Sequence, residues 1–247
     1  MRIYQLFLGM APALALSSAL SLGGCSAAAH GSDGAGSASA SRSFAVRDFT
    51  GIDLRGSDDV EVKLASEFTV RADGPEKVLD RLVIERVGDT LRITRKRNGN
   101  WSWSGRSARI FVTMPRITRA ATSGSGDMHV ARAQADAFSA SVEGSGDIRI
   151  DALDTRAASF SIAGSGDISA TGRADDLTIN IAGSGDISAT GVKATRAQVS
   201  IAGSGTVAAT VNGPATVSIL GSGDVDLGSG ATCTTSKRGS GDVRCGK

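Results

Sequence analysis

The sequence predicts an all-β protein, a right-handed parallel β-helix (β-solenoid) with coils of about 20 residues and one short helix near its start. Three observations predict it. The phrase Gly-Ser-Gly-Asp recurs with its first glycine at Gly124, Gly144, Gly164, Gly183, Gly203, Gly221 and Gly239, in steps of 20, 20, 19, 20, 18 and 18 residues. Self-similarity at such a period marks coils that cannot bury an apolar face alone. Around each phrase, apolar residues alternate with small polar ones, the period of a strand buried on one side. Finally, two glycines per repeat would cost a helix about 1 kcal/mol each, which excludes a helical repeat.

From the N-terminus, Arg2 precedes an apolar run from Leu6 to Leu22 that ends at small residues. A run this short reads as the core of an export signal rather than a membrane span. Leu22-Gly23-Gly24-Cys25 looks like a bacterial lipobox, which makes residues 1–24 a lipoprotein signal peptide and Cys25 the lipidated first residue of the mature chain. The alternative is an ordinary signal peptide with an incidental cysteine. Ser26 after the cysteine resembles the outer-membrane sorting default. Residues 25–43 are almost all Ala, Ser and Gly and are expected to be a tether, because they have little apolar surface to bury.

The rest, 44–247, reads as one domain. In its first part, 44–122, strands are expected at Phe44–Leu54, Val60–Leu64, Phe68–Arg71, Leu82–Ile84, Leu91–Thr94 and Ile110–Met114. Gly56-Ser57-Asp58-Asp59 looks like a degenerate first corner. A short helix is expected from Pro75 to about Leu82, capped by Asp73 or Gly74. In the regular part, 123–247, the inward columns are Met128, Ile148, Ile168, Ile187, Val207, Val225 and Val243 after the corner, and Val142, Ile162, Ile181, Ile201 and Ile219 before it. Alanines at Ala170, Ala189 and Ala209 imply a narrow core.

The corner glycines suit positive φ, and serine and aspartate can bond N–H groups that a bend leaves unpaired, so the motif needs no ligand. The competing reading is a calcium ladder along Asp127, Asp147, Asp167 and Asp186. Stacked carboxylates about 4.8 Å apart repel by about 0.9 kcal/mol in water and about 3.5 kcal/mol at an effective dielectric of 20, so a buried row would need counter-ions. Thr206 interrupts that row before Asp224 and Asp242.

Arg95, Lys96, Arg97, Trp101, Trp103 and Arg106 form the one basic, aromatic patch, on a loop between two strands. It would suit a glycan, lipopolysaccharide phosphate or protein partner; the alternative is a solvated loop with its tryptophans folded back. Cys233 and Cys245, six residues either side of Gly239, are expected to be bridged in an exported protein, with two free buried thiols as the alternative. His129 reads as a solvent-facing strand residue. With carboxylates in single file rather than clustered, no catalytic residue, metal or cofactor is expected. A formal net charge of +2 makes no case for nucleic acid, and aromatics at 4% leave no wide stacking platform. The last coils show no obvious polar cap, so their edge is expected to invite association; the oligomeric state is left open.

Thr122-Ser123-Gly124-Ser125-Gly126-Asp127, preceded by Val112-Thr113-Met114-Pro115, resembles the bacterial DUF2807 family, the head GIN domain of auto-transporter adhesins. Phe49-Thr50-Gly51-Ile52, Val60-Glu61-Val62 and Gly88-Asp89-Thr90-Leu91-Arg92-Ile93 fit the same resemblance, which covers about residues 44–247. The related DUF4097 repeats are similar. The resemblance implies an exported β-solenoid and supplies no catalytic residues. The expectation is a non-enzymatic envelope lipoprotein, on the periplasmic or surface face of the outer membrane, that meets a glycan or protein partner. The alternatives are a structural or stress-linked lipoprotein without a dedicated ligand, and a polysaccharide-active enzyme.

Overall fold

The computed structural model describes residues 39–96 and 106–246. Its first part holds β1 (Ser39–Ser43), β2 (Gly51–Gly56), β3 (Asp59–Leu64), β4 (Thr69–Pro75), α1 (Glu76–Leu79), β5 (Leu82–Val87), β6 (Thr90–Arg95) and β7 (Arg109–Met114). The regular coils follow as β8 (Arg119–Gly124), β9 (Met128–Val130), β10 (Ala133–Gly144), β11 (Ile148–Gly164), β12 (Ile168–Gly183) and β13 (Ile187–Gly203). They end with β14 (Thr206–Val211), β15 (Gly213–Gly221), β16 (Asp224–Asp226), β17 (Ala231–Gly239) and β18 (Val243–Arg244). The fold is the β-solenoid that the period predicts.

Each coil has a limb that enters the Gly-Ser-Gly-Asp corner and a limb that leaves it. Both limbs pair in parallel with the coils above and below, so the seven first glycines stack on one another. The apolar columns follow from that register. Met128, Ile148, Ile168, Ile187, Val207 and Val225 are buried along one limb, and Val142, Ile162, Ile181, Ile201 and Ile219 along the other. Each such side chain contributes about 1.5–3 kcal/mol, offset by the backbone entropy that ordering costs. Ala170, Ala189 and Ala209 are also buried, as a narrow core requires.

The first part departs from simple succession. β2 and β3 form a coil whose corner lies on the first regular corner, with Gly56 opposite Gly124. Under it lie β6 and β7, which come later in the chain, because β2 pairs with both β6 and β8, and β3 with both β7 and β9. From β2 the chain thus runs through the second coil, descends to build the first, and climbs past β2 and β3 into the third. At this end the pairing is antiparallel. Here β5 pairs antiparallel with β6, β4 with β7, and β1 with β4. The segment read as tether therefore yields a strand at Ser39–Ser43, held also by Arg42, which donates to the Leu79 carbonyl at 2.9 Å and to Asp80 at 2.7 Å. The helix is a single turn starting after Pro75, because Leu82 already belongs to a strand.

The far end does have a polar cap, contrary to the expectation. The buried column Val199–Val217 ends on Thr235, and Ile201–Ile219 ends on Lys237. The Lys237 ammonium donates to the Gly241 carbonyl at 2.6 Å. A coil stacked there would bury that charge, so the open edge is guarded rather than inviting.

Candidate functional site

The corner row is built from backbone demands. Ser145 and Gly146 both donate their main-chain N–H to the Gly124 carbonyl, at 2.8 and 3.1 Å, and Ser165 and Gly166 do the same to Gly144. The aspartate N–H finds no carbonyl in the bend. It donates instead to the carboxylate one coil back: Asp147 to Asp127 at 2.9 Å, Asp167 to Asp147 at 2.8 Å, and Asp186 to Asp167 at 2.9 Å. The run continues with Thr206 N–H on Asp186, and Asp242 N–H on Asp224. Thr206 itself enters a strand and pairs with Asp224, so the missing carboxylate is bypassed locally. The second glycine is a steric requirement, since a Cβ on Gly166 would overlap the Gly146 carbonyl oxygen. The first is also conformational, with φ +142° at Gly164. Serine takes part through its main chain, while its hydroxyl stays exposed. Among the described residues no group of three or more His, Cys, Asp or Glu is arranged to hold a metal ion.

The degenerate corner carries the buried carboxylate. Asp58 lies under Gly126 and is 1% exposed. Its oxygens accept both arms of the Arg95 guanidinium, one at 2.8 Å, and the Ala108 N–H at 2.7 Å. A buried carboxylate is tolerable only with such complete partnering. Arg95 was expected to face a partner from a loop; its guanidinium is instead bonded to the buried Asp58. Lys96 is exposed and its N–H donates to the Arg81 carbonyl at 2.8 Å. The Arg106 carbonyl accepts from Arg95 at 3.4 Å. Arg97, Trp101 and Trp103 lie outside the described residues, as does Cys25. Asp58 ties the end of β6, through Arg95, to the residue just before β7, through the Ala108 N–H.

Cys233 and Cys245 are disulfide-bonded, with Cα atoms 6.0 Å apart, across the last coil. Beyond the corner, His129 meets Asp151 at 2.6 Å, and Arg149 meets the same carboxylate at 2.8 Å. The His129 ring and then Arg149 hold the Asp151 carboxyl below its usual range, partly opposed by desolvation. His129 and Arg149 edge an open depression of about 520 Å³ with Glu61, Arg109 and Asp127. Three of its ionisable groups are paired with carboxylates or amines beside it, His129 and Arg149 with Asp151 and Glu61 with Lys63. On the broad bend opposite the corner, Arg173 pairs with Asp154 and Arg196 with Asp176, and each guanidinium holds its carboxyl low.

The outer face of the limbs entering the corner differs from all of these. Two columns run across the coils in register: Ser139, Ser159, Thr178, Gln198 and Thr216, beside Ser141, Ser161, Asn180, Ser200 and Ser218. No member is charged. Reading the outward alternates would have found these columns in the sequence, because they are the complement of the apolar ones.

Fold and surface together define a repeat protein that displays its polar groups in files along a rigid sheet. The chain belongs to the DUF2807 family, described as "Putative auto-transporter adhesin, head GIN domain", whose model matches residues 48–231. A crystal structure of an adhesin-named protein from Bacteroides fragilis is similar with a TM-score of 0.74 at 19% identity, covering 84% of this chain and 97% of that one. One from Parabacteroides distasonis, named a lipid binding protein, has a TM-score of 0.66 at 25% identity over 85% of this chain and 97% of that one. One from Parabacteroides merdae, also adhesin-named, has a TM-score of 0.60 at 17% identity, over 85% and 96%. No curated protein matches the chain. The family supports an adhesion-type role in an extracellular or envelope-associated protein, while the solved structures show the fold. Among the described residues no helix is long and apolar enough to cross a membrane.

Proposed function

We propose that the protein is a non-enzymatic envelope lipoprotein, tethered by a lipid on Cys25, that presents its solenoid for adhesion to a glycan or to an envelope protein. Membership of an adhesin family over 48–231 carries this reading. Two observations support it. The ionisable groups of the coils are paired in repeating files, as in the Asp–Arg stripe and the corner row, rather than gathered around one reacting position. The lipobox-like Leu22-Gly23-Gly24-Cys25 supplies the means of attachment.

The test has two arms. Full-length protein expressed in a Gram-negative host should fractionate with the outer membrane, and Cys25→Ser should move to the soluble fraction; a C25S chain that stays in the membrane contradicts the anchor. Cells displaying the protein should adhere to glycan- or protein-coated surfaces above vector controls. Release of reducing ends from envelope polysaccharide by the purified chain would overturn the non-enzymatic part.

A further inference from the structure

We infer that the outer face of the limbs entering the corner is a binding surface for an extended, uncharged polysaccharide chain. The inference rests on the adhesion reading and assigns it a face and a ligand class. Its first support is hydrogen-bond bookkeeping. None of the Ser, Thr, Asn and Gln side chains in the two columns starting at Ser139 and Ser141 has a hydrogen-bond partner among the described residues, although every backbone group there is engaged in the parallel ladders. Hydroxyls on the broad bend are already used: Thr155, Thr195 and Thr210 donate to carbonyls one coil back, at 3.0, 2.6 and 2.8 Å. The columns therefore offer donors and acceptors that nothing in the fold consumes.

The second support is shape. Ser139, Ser159 and Thr178 line a groove of about 460 Å³ together with the alanines Ala137 and Ala157, and Arg116, Asp136 and Asp176, of both signs, also line it. Apolar methyls beside hydroxyls match a pyranose, with its C–H face and hydroxyl rim. Charge then selects among occupants. The columns carry no formal charge over five coils, so an acidic polymer gains nothing along them. A protein partner fits poorly, because protein interfaces favour aromatic residues and arginine and are depleted in serine. Without aromatic stacking each sugar is held weakly, and repetition at about 4.8 Å per coil must supply the affinity. Binding should therefore rise steeply with polymer length.

Affinity electrophoresis of the full chain in gels containing hydroxyethylcellulose, laminarin or dextran, with alginate as the acidic comparison, tests this. At least one neutral polymer should retard the chain, more strongly at greater polymer length, and alginate should not. The double variant Ser161→Glu/Ser200→Glu should bind about tenfold more weakly or worse. Ser161→Thr/Ser200→Thr should retain binding, as should Ser169→Glu/Ser188→Glu on the other limb, all with unchanged melting. Failure of every neutral polymer to retard the chain overturns the inference, as does equal retardation of S161E/S200E. Cell adherence that survives S161E/S200E would reject this face while leaving the adhesion reading standing; a saturable protein ligand on the face would reject the polysaccharide. Absence of any adherence would reject the adhesion reading itself.

Discussion

The regular coils and the first part of the chain solve one problem by different means. From Gly124 onward every coil rests on the one before it, and two glycines per corner let backbone lie directly on backbone. In the first part the coil beneath Gly56 is built from β6 and β7, which come later in the chain and carry no Gly-Ser-Gly-Asp phrase between them. A Cβ on Gly56 would accordingly meet nothing within 4 Å, whereas one on Gly166 would overlap the Gly146 carbonyl oxygen. The second glycine of the motif is replaced there by Asp58, whose buried carboxylate holds Arg95 of β6 and the Ala108 N–H just before β7. Where repetition supplies the neighbour, glycine suffices; where it stops, a charged side chain with three hydrogen bonds takes over. The same rule describes the other end, where Lys237 closes a column of isoleucines.

Substitutions can break or sharpen this contrast. The largest expected effect is Gly166→Ala, which should destabilise the protein by about 4 kcal/mol or more, because backbone on both sides blocks relaxation. Gly56→Ala should cost only about 1–2 kcal/mol of backbone strain, since its φ of +140° is unfavourable but its surroundings are open. Denaturant unfolding measures both, and equal losses would erase the distinction between the regions. Next comes Asp58→Ala, expected at about 3 kcal/mol because Arg95 and the Ala108 N–H lose their acceptor; hydrogen exchange should show the loosening concentrated in β3, β6 and β7.

Smaller is the loss from one corner carboxylate. Asp167→Ala should cost about 1 kcal/mol, the worth of the bond from the Asp186 N–H, while Asp167→Asn keeps an acceptor and should be nearly neutral. A calcium ladder predicts the reverse, with the Asn variant losing a calcium-dependent rise in melting temperature. Smallest is the acid response. Asp151, Asp154 and Asp176 have folded pKa values lowered by His129 with Arg149, by Arg173 and by Arg196. Their contribution is full above the ordinary carboxylate pKa and is lost as pH falls through and below it, so the melting temperature should drop modestly beneath about pH 4. Asp154→Asn should flatten that drop, and an unchanged slope would remove these pairs from the account.

The repeated part was legible because its information is local. Period, alternation and glycine spacing fix the corner row and both apolar columns without long-range knowledge, and Cys233 and Cys245 can be placed on the last coil by counting. The first part was less legible because its decisive contacts are distant in sequence. Asp58 and Arg95 are 37 residues apart, and nothing near Arg95 distinguishes a buried partner from a loop cation. That β6 and β7 slip under β2 and β3 leaves no periodic trace, since each coil of that pair is unique. Lys237 was within reach: counting 18 residues from Ile219 lands on it, and only its charge disguises membership of the column.

Spin labels on the exposed serines of the corner row test most directly whether both parts form one file of stacked coils. Ser57 is predicted to lie one coil from Ser125 despite the intervening chain, five from Ser204 and seven from Ser240. Pulsed-dipolar distances should therefore grow from about 24 Å for Ser57–Ser204 to about 34 Å for Ser57–Ser240, at about 4.8 Å per coil. A Ser57–Ser240 distance no longer than Ser57–Ser204, or a Ser57–Ser125 separation of many coils, would contradict it.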